Sequence, residues 1–107
     1  MHHISPEELS ERLKTDQPPW LLDVREPDEH QMAALPGSRL IPLGELMERV
    51  DELAPWKAEE VVVYCHHGMR SLHAIAQLRA AGFEKLFNLT GGIDQWSRQI
   101  DRSVPRY

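Results

Sequence analysis

The chain of 107 residues holds a single cysteine, Cys65. One thiol excludes an intramolecular disulfide, whether as a structural staple or as a two-cysteine redox relay, so any thiol partner must come from another molecule. Positive charge is also in deficit, with 12 Lys and Arg against 17 Asp and Glu and no basic run. An acidic chain without a basic stripe is a poor match for nucleic acid. The apolar runs fall far short of the roughly 20 residues a membrane span needs. The opening stretch from Met1 to Glu8 has neither the basic start nor the apolar core of a signal peptide. These absences lead us to expect a cytoplasmic protein with no nucleic-acid partner and no membrane partner. Internal repeats and low-complexity segments are missing too. What remains, 41% hydrophobic and 27% charged, is ordinary for a single globular domain spanning residues 1–107.

The most informative stretch runs from Val61 to Ser71, Val-Val-Val-Tyr-Cys-His-His-Gly-Met-Arg-Ser. Its first four residues are apolar without alternation, as in a central parallel strand covered on both faces. The lone cysteine stands at the carboxyl end of that strand. A tight loop follows, with Gly68 free to take positive φ, and then helix-forming composition from Ser71 to Ala81. A loop that runs from a strand into a helix aims N–H groups and the positive end of the helix dipole inward, so it suits an anion. A thiolate at its base is stabilised by the same field, and Arg70 adds a full positive charge at the loop's far end. The bland alternative for Cys65 is a small buried hydrophobe.

Elsewhere the signals are those of alternating strands and helices. Ile4 ends a short edge strand. Ser5, Pro6 and Glu8 form a helix start with a capping box, for a helix reaching Leu13. Trp20 to Val24 is a second strand, ending in charge at Asp23 and Arg25. Arg39 to Pro42 is a short third. Leu43, Leu46, Met47, Val50 and Leu53 repeat at helical spacing and predict an amphipathic helix with Met47 in the core. Gly82 caps the helix after the cysteine loop, Lys85 to Leu89 is the last strand, and Thr90-Gly91-Gly92 turns sharply into a segment with Trp96 packed beneath it. His2 and His3 read as solvated, and Arg102 to Tyr107 as a loose tail.

The cysteine loop resembles that of the rhodanese-like domain family, the sulfurtransferase module whose active loop begins with a persulfide-carrying cysteine. Asp23-Val-Arg-Glu-Pro-Asp-Glu-His30 resembles the family's first signature. Pro36-Gly37-Ser38 is similar to the end of its Gly-His-Ile-Pro-Gly-Ala signature, with Ala33 and Ala34 where the family has Gly-His. Gly91-Gly92 and Trp96 match its closing turn. The resemblance covers nearly the whole chain. It implies a three-layer α/β/α fold with a five-stranded parallel sheet in order 1-5-4-2-3.

It also implies a thiosulfate sulfurtransferase that moves a sulfane sulfur to a nucleophilic acceptor such as cyanide or a thiol. Cys65 and Arg70 would be the catalytic pair, and His66, His67, Gly68, Met69 and Ser71 would line the substrate. Asp23 and Arg25 would support the loop. The donor and acceptor would be small molecules, or a protein in either role. No cofactor is expected, and no metal, because His66, His67 and His73 match no standard zinc spacing.

Two other uses of such a loop compete. Cysteine phosphatases share the strand, loop and helix order, but their loops resemble one a residue longer between Cys and Arg, and a shorter loop closes around a smaller anion. A non-catalytic binding or regulatory domain is the third reading; inactive relatives of that kind lack the cysteine that is present here.

Overall fold

The computed structural model describes residues 2–107. Five strands form one parallel sheet: β1 (His2–Ile4), β2 (Trp20–Asp23), β3 (Arg39–Leu40), β4 (Glu60–Tyr64) and β5 (Lys85–Leu89). Their order is β1-β5-β4-β2-β3, as expected, with β4 central. The register sets Leu22 beside Val63, and Val63 in turn beside Asn88.

The unbroken apolar run of β4 has the cause inferred for it, because both of its faces are buried. Val61, Val63 and Cys65 point into one cluster with Leu22, Leu46, Leu53, Ile75, Leu78 and Phe83. Val62 and Tyr64 point into the other with Ile4, Leu9, Leu35, Ile93 and Trp96. Alternation by twos along a strand thus sends Cys65 to the side of helix α4 (Met69–Ala80).

Helix α1 (Pro6–Arg12) has the expected capping box: Ser5 Oγ accepts from the Glu8 amide, and Glu8 accepts from the Ser5 amide. Three regions depart from the sequence reading. A short helix, α2 (Pro27–Met32), follows β2 and has no buried residue, so it left no apolar period to read. The amphipathic segment after β3 is not one α-helix. Residues Leu43–Glu45 and Val50–Trp56 are 3₁₀ turns flanking a four-residue α3 (Leu46–Arg49). Spacings of three and four serve either geometry, and Pro55 lies within the second 3₁₀ turn. Leu46 and Leu53 are core as expected, but Met47 is half exposed and is not.

The third departure is the segment after α5 (Gly92–Gln99), which is not loose. Val104 is buried, the Val104 carbonyl accepts from Ser97 Oγ, and Arg106 pairs with Asp94 at 3.0 Å. No helix among the described residues is long and apolar enough to cross a membrane.

Candidate active site

Cys65 follows β4 directly and is 1% exposed. Gly68 adopts φ 111°, a conformation that favours glycine, and this sharp turn brings its amide 3.1 Å from Cys65 Sγ. α4 begins at Met69, two residues earlier than its composition suggested. Ser71 is therefore its third residue, and its amide, one of the first few in a helix without an intrahelical acceptor, lies 3.4 Å from Sγ. Ser71 Oγ is 3.5 Å from the sulfur and donates to Asn88 Oδ1 on β5. The sulfur thus lies at the positive end of a twelve-residue helix, with two N–H groups on it.

The loop is held from beneath by the glycine turn before α5. The amides of Ile93 and Asp94 donate to the carbonyls of Cys65 (2.9 Å) and His66 (3.1 Å). Gly92, at φ 63°, lies so close to those carbonyls that no side chain fits between. The sequence showed a sharp turn here. It did not show that the turn is the floor of the cysteine loop.

Arg70, expected to add a full positive charge at the loop's far end, is 37% exposed in its side chain. Its guanidinium meets Glu29 of α2 through two bonds, Nη1 to Oε1 at 2.6 Å and Nη2 to Oε2 at 2.9 Å. The Arg70 contact, reinforced by the Glu26 amide and the Tyr107 hydroxyl, holds the Glu29 carboxyl down at about 2 against the cost of its partial burial. Glu29 closes a capping box at its own helix start, where it accepts from the Glu26 amide.

Tyr107 joins the site from the far end of the chain. Its hydroxyl accepts from Arg25 Nη1 (2.7 Å) and donates to Glu29 Oε2 (2.8 Å), while its ring stacks on His66 at 3.9 Å. Burial is the main influence that pushes this hydroxyl up to about 12, so it remains a donor at working pH. His66 is held below the ordinary imidazole range, chiefly by burial and then by His67, and its ring stacks on that of Tyr107.

Asp23 and Arg25 are fully buried and bonded to each other twice through side chains, at 2.9 and 2.7 Å. Burial opposes the charge on Arg25, but the bonds from Asp23 and Tyr107 outweigh it and raise its pKa. Arg25 also donates to the Ala33 and Glu29 carbonyls, and His30 Nδ1 lies 2.8 Å from Asp23 Oδ2. None of these bonds reaches the cysteine loop itself. Asp23 and Arg25 anchor α2, and α2 presents Glu29 to Arg70. His30 bonds Asp23, although the family's Gly-His pair is Ala33-Ala34 here.

The remaining loop residues lie where their sequence position requires. Gly68 and Ser71 are buried under the sulfur, while His67 and Met69 are exposed at the rim. His66, His67 and Asp94 bring ligating atoms within 4.8 Å of one another. Asp94 is paired with Arg106 at 3.0 Å and lies 3.9 Å from His67 Nε2, and the two imidazole rings are 3.9 Å apart with a 33° tilt. Sequence reasoning missed Glu29, Asn88 and Tyr107. The signal for Glu29 was present as the capping-box spacing of Glu26-Pro27-Asp28-Glu29, with Pro27 at the first helical position.

The ion pair carries an expectation for acid stability. Because Glu29 is depressed from 4.5 to about 2, its contribution is complete above the ordinary carboxylate range and is lost as pH falls toward 2. On acidification through that window the wild type should lose more stability than Glu29→Gln, as read from urea midpoints at neutral pH and near the low end of the window. Equal losses would show that the pair adds nothing.

Comparison with known proteins agrees with this fold. A family model described as Rhodanese-like domain matches residues 5–99. A sulfurtransferase of Allochromatium vinosum is 35% identical over 98 residues, covering 92% of this chain and 90% of that protein. The adenylyltransferase and sulfurtransferase uba4 of Ogataea parapolymorpha is 37% identical over 91% of this chain, which spans only 25% of uba4. Among solved structures, a rhodanese-like domain protein from Staphylococcus aureus superposes with a TM-score of 0.85 at 27% identity, over 100% of this chain and 99% of that one. The human single-domain sulfurtransferase TSTD1 gives 0.77 at 27%, over 92% and 97%.

Proposed function

The chain belongs to the rhodanese-like domain family, and from that premise we propose that it is a sulfurtransferase that takes a sulfane sulfur from thiosulfate or a related donor through a Cys65 persulfide. The observation that carries this reading is the pair of N–H groups, from Gly68 and Ser71, directed at Cys65 Sγ at the head of α4. The Cys65 thiolate attacks the outer sulfur of thiosulfate. The new Sγ–S bond forms as the S–S bond of the donor breaks, and the electron pair leaves with sulfite. An acceptor nucleophile, cyanide or a thiol, then attacks the terminal sulfur and returns the thiolate.

The loop N–H groups stabilise the negative charge that remains on the persulfide, and a preorganised cradle does so without reorientation during the reaction. His66, Gly68 and Ser71 shape the pocket, with His67 and Met69 at its rim. Arg70 is the donor's electrostatic contact. In this arrangement it must share its guanidinium with Glu29 or leave it. Asp23 and Arg25 act as positioning residues through α2.

The test is an intact-mass spectrum after mixing with thiosulfate, with turnover measured in parallel against cyanide and against an aryl phosphate. One added sulfur and thiocyanate formation are expected, with negligible phosphatase activity, because the Cys65 to Arg70 loop is too short to wrap a phosphate. Phosphatase turnover comparable with sulfur transfer would overturn the reading. The absence of both activities would favour a binding or regulatory domain.

A further inference from the structure

Arg70 carries a formal positive charge, yet the mouth of the cysteine loop is close to neutral. Arg70 is cancelled by Glu29 through two short bonds, and Arg106 is cancelled by Asp94. Glu29 is itself fixed. The Glu26 amide holds Oε1, the Tyr107 hydroxyl holds Oε2, and Tyr107 is in turn tied to buried Arg25. A carboxylate so anchored cannot swing away easily when a donor arrives. A sulfonate dianion approaching Arg70 must compete with Glu29 for the same N–H groups and is repelled by it.

We propose that Glu29 is a specificity-determining residue that disfavours dianionic sulfur donors and tunes the site to donors of lower charge, of the low-molecular-weight hydropersulfide class. This rests on the persulfide mechanism proposed above and names the donor class for it. The step with such a donor is balanced as Cys65–S⁻ + R–S–SH → Cys65–S–SH + R–S⁻. The Sγ–S bond forms, the donor's S–S bond breaks, and the electron pair departs on the R–S⁻ thiolate. The proton stays on the transferred sulfur, and no external oxidant or reductant is needed. Only a dianion needs Arg70 uncovered, so Glu29 slows thiosulfate loading much more than hydropersulfide loading.

The experiment compares second-order rates of sulfur loading onto Cys65, read by quenched intact mass, with thiosulfate and with cysteine hydropersulfide. Glu29→Gln retains an acceptor for the Glu26 amide and for one Arg70 nitrogen but removes the charge. It should raise the thiosulfate rate about tenfold, the scale of one charge-assisted contact, and move the hydropersulfide rate less than about twofold on that scale. Glu29→Asp keeps the charge and should retain the wild-type ratio between donors. On the wild type alone, thiosulfate loading should not fall with added salt, because Arg70 is already neutralised.

An unchanged or slower thiosulfate rate in Glu29→Gln, or equal shifts for both donors, overturns the proposal while sulfur transfer stands. A fall of about tenfold with salt on the wild type does the same, since it would show Arg70 acting as a free charge. If neither donor adds sulfur to the wild type, the sulfurtransferase reading fails and the proposal fails with it.

Discussion

Cys65→Ser is expected to abolish sulfur loading and thiocyanate formation while leaving the protein folded. The loss should be complete, because the carrier role requires a bond between two sulfurs and Cys65 is the only thiol in the chain. A serine hydroxyl in the same cradle is not ionised at neutral pH and cannot hold a sulfane sulfur as a persulfide. Folding should survive, because Ser Oγ can accept from the Gly68 and Ser71 amides that now face Sγ. The cost is that of a small polar-for-sulfur change at a buried site, roughly 1–2 kcal/mol and within the usual range for single substitutions. Intact mass after thiosulfate should show one added sulfur in the wild type and none in the variant, with matching circular dichroism. Full activity in a folded Cys65→Ser protein would remove Cys65 from the mechanism.

Gly92→Ala should be nearly as damaging by a different route. Two independent penalties act at this position. The backbone sits at φ 63°, where a Cβ is strained. That Cβ would also overlap the carbonyls of Cys65 and His66, which are backbone atoms with no rotamer to yield. Strain of this kind costs on the order of 1–3 kcal/mol before the overlap is counted. Relief requires the loop to rise off α5, breaking the bonds from the Ile93 and Asp94 amides and displacing Sγ from its N–H donors. A misplacement of about 1 Å at a reacting atom can reduce rate by roughly 100-fold, so kcat/KM for thiosulfate should fall by about that factor even where the variant remains folded. Thermal unfolding and steady-state kinetics on the same preparation separate the two effects. Wild-type kinetics in a destabilised variant would mean that α5 supports the fold but not the loop geometry.

The two substitutions differ in how visible their logic is from the chain alone. Cys65 could be singled out at once, because an apolar run ending in Cys-His-His-Gly-Met-Arg is a local pattern. Strand, glycine turn and helix start are encoded by consecutive residues whose backbone preferences do not depend on distant partners. The same holds for the Ser5 and Glu8 capping box and for the alternation of strands and helices that leads to a parallel sheet. Gly92 was legible as a turn, but not as the floor of the loop, because its neighbours Cys65 and His66 come from another strand's end.

Glu29, Tyr107 and Asn88 mark the limit of such reading. Each acts through a partner far along the chain: Arg70 lies 41 residues from Glu29, and Tyr107 lies 78 residues beyond it. A surface carboxylate on a six-residue helix with no buried face carries no periodic signal, and a tyrosine in an irregular segment carries none either. By itself the sequence determined the sheet, the cysteine at the end of its central strand and the turn that aims amides at the sulfur, since those follow from local backbone preference and apolar pattern. Tertiary packing alone decided that Arg70 is neutralised and that Tyr107 holds the carboxylate responsible. The charge of a site depends on which groups folding brings within a few ångströms of one another, and no local pattern encodes those distances.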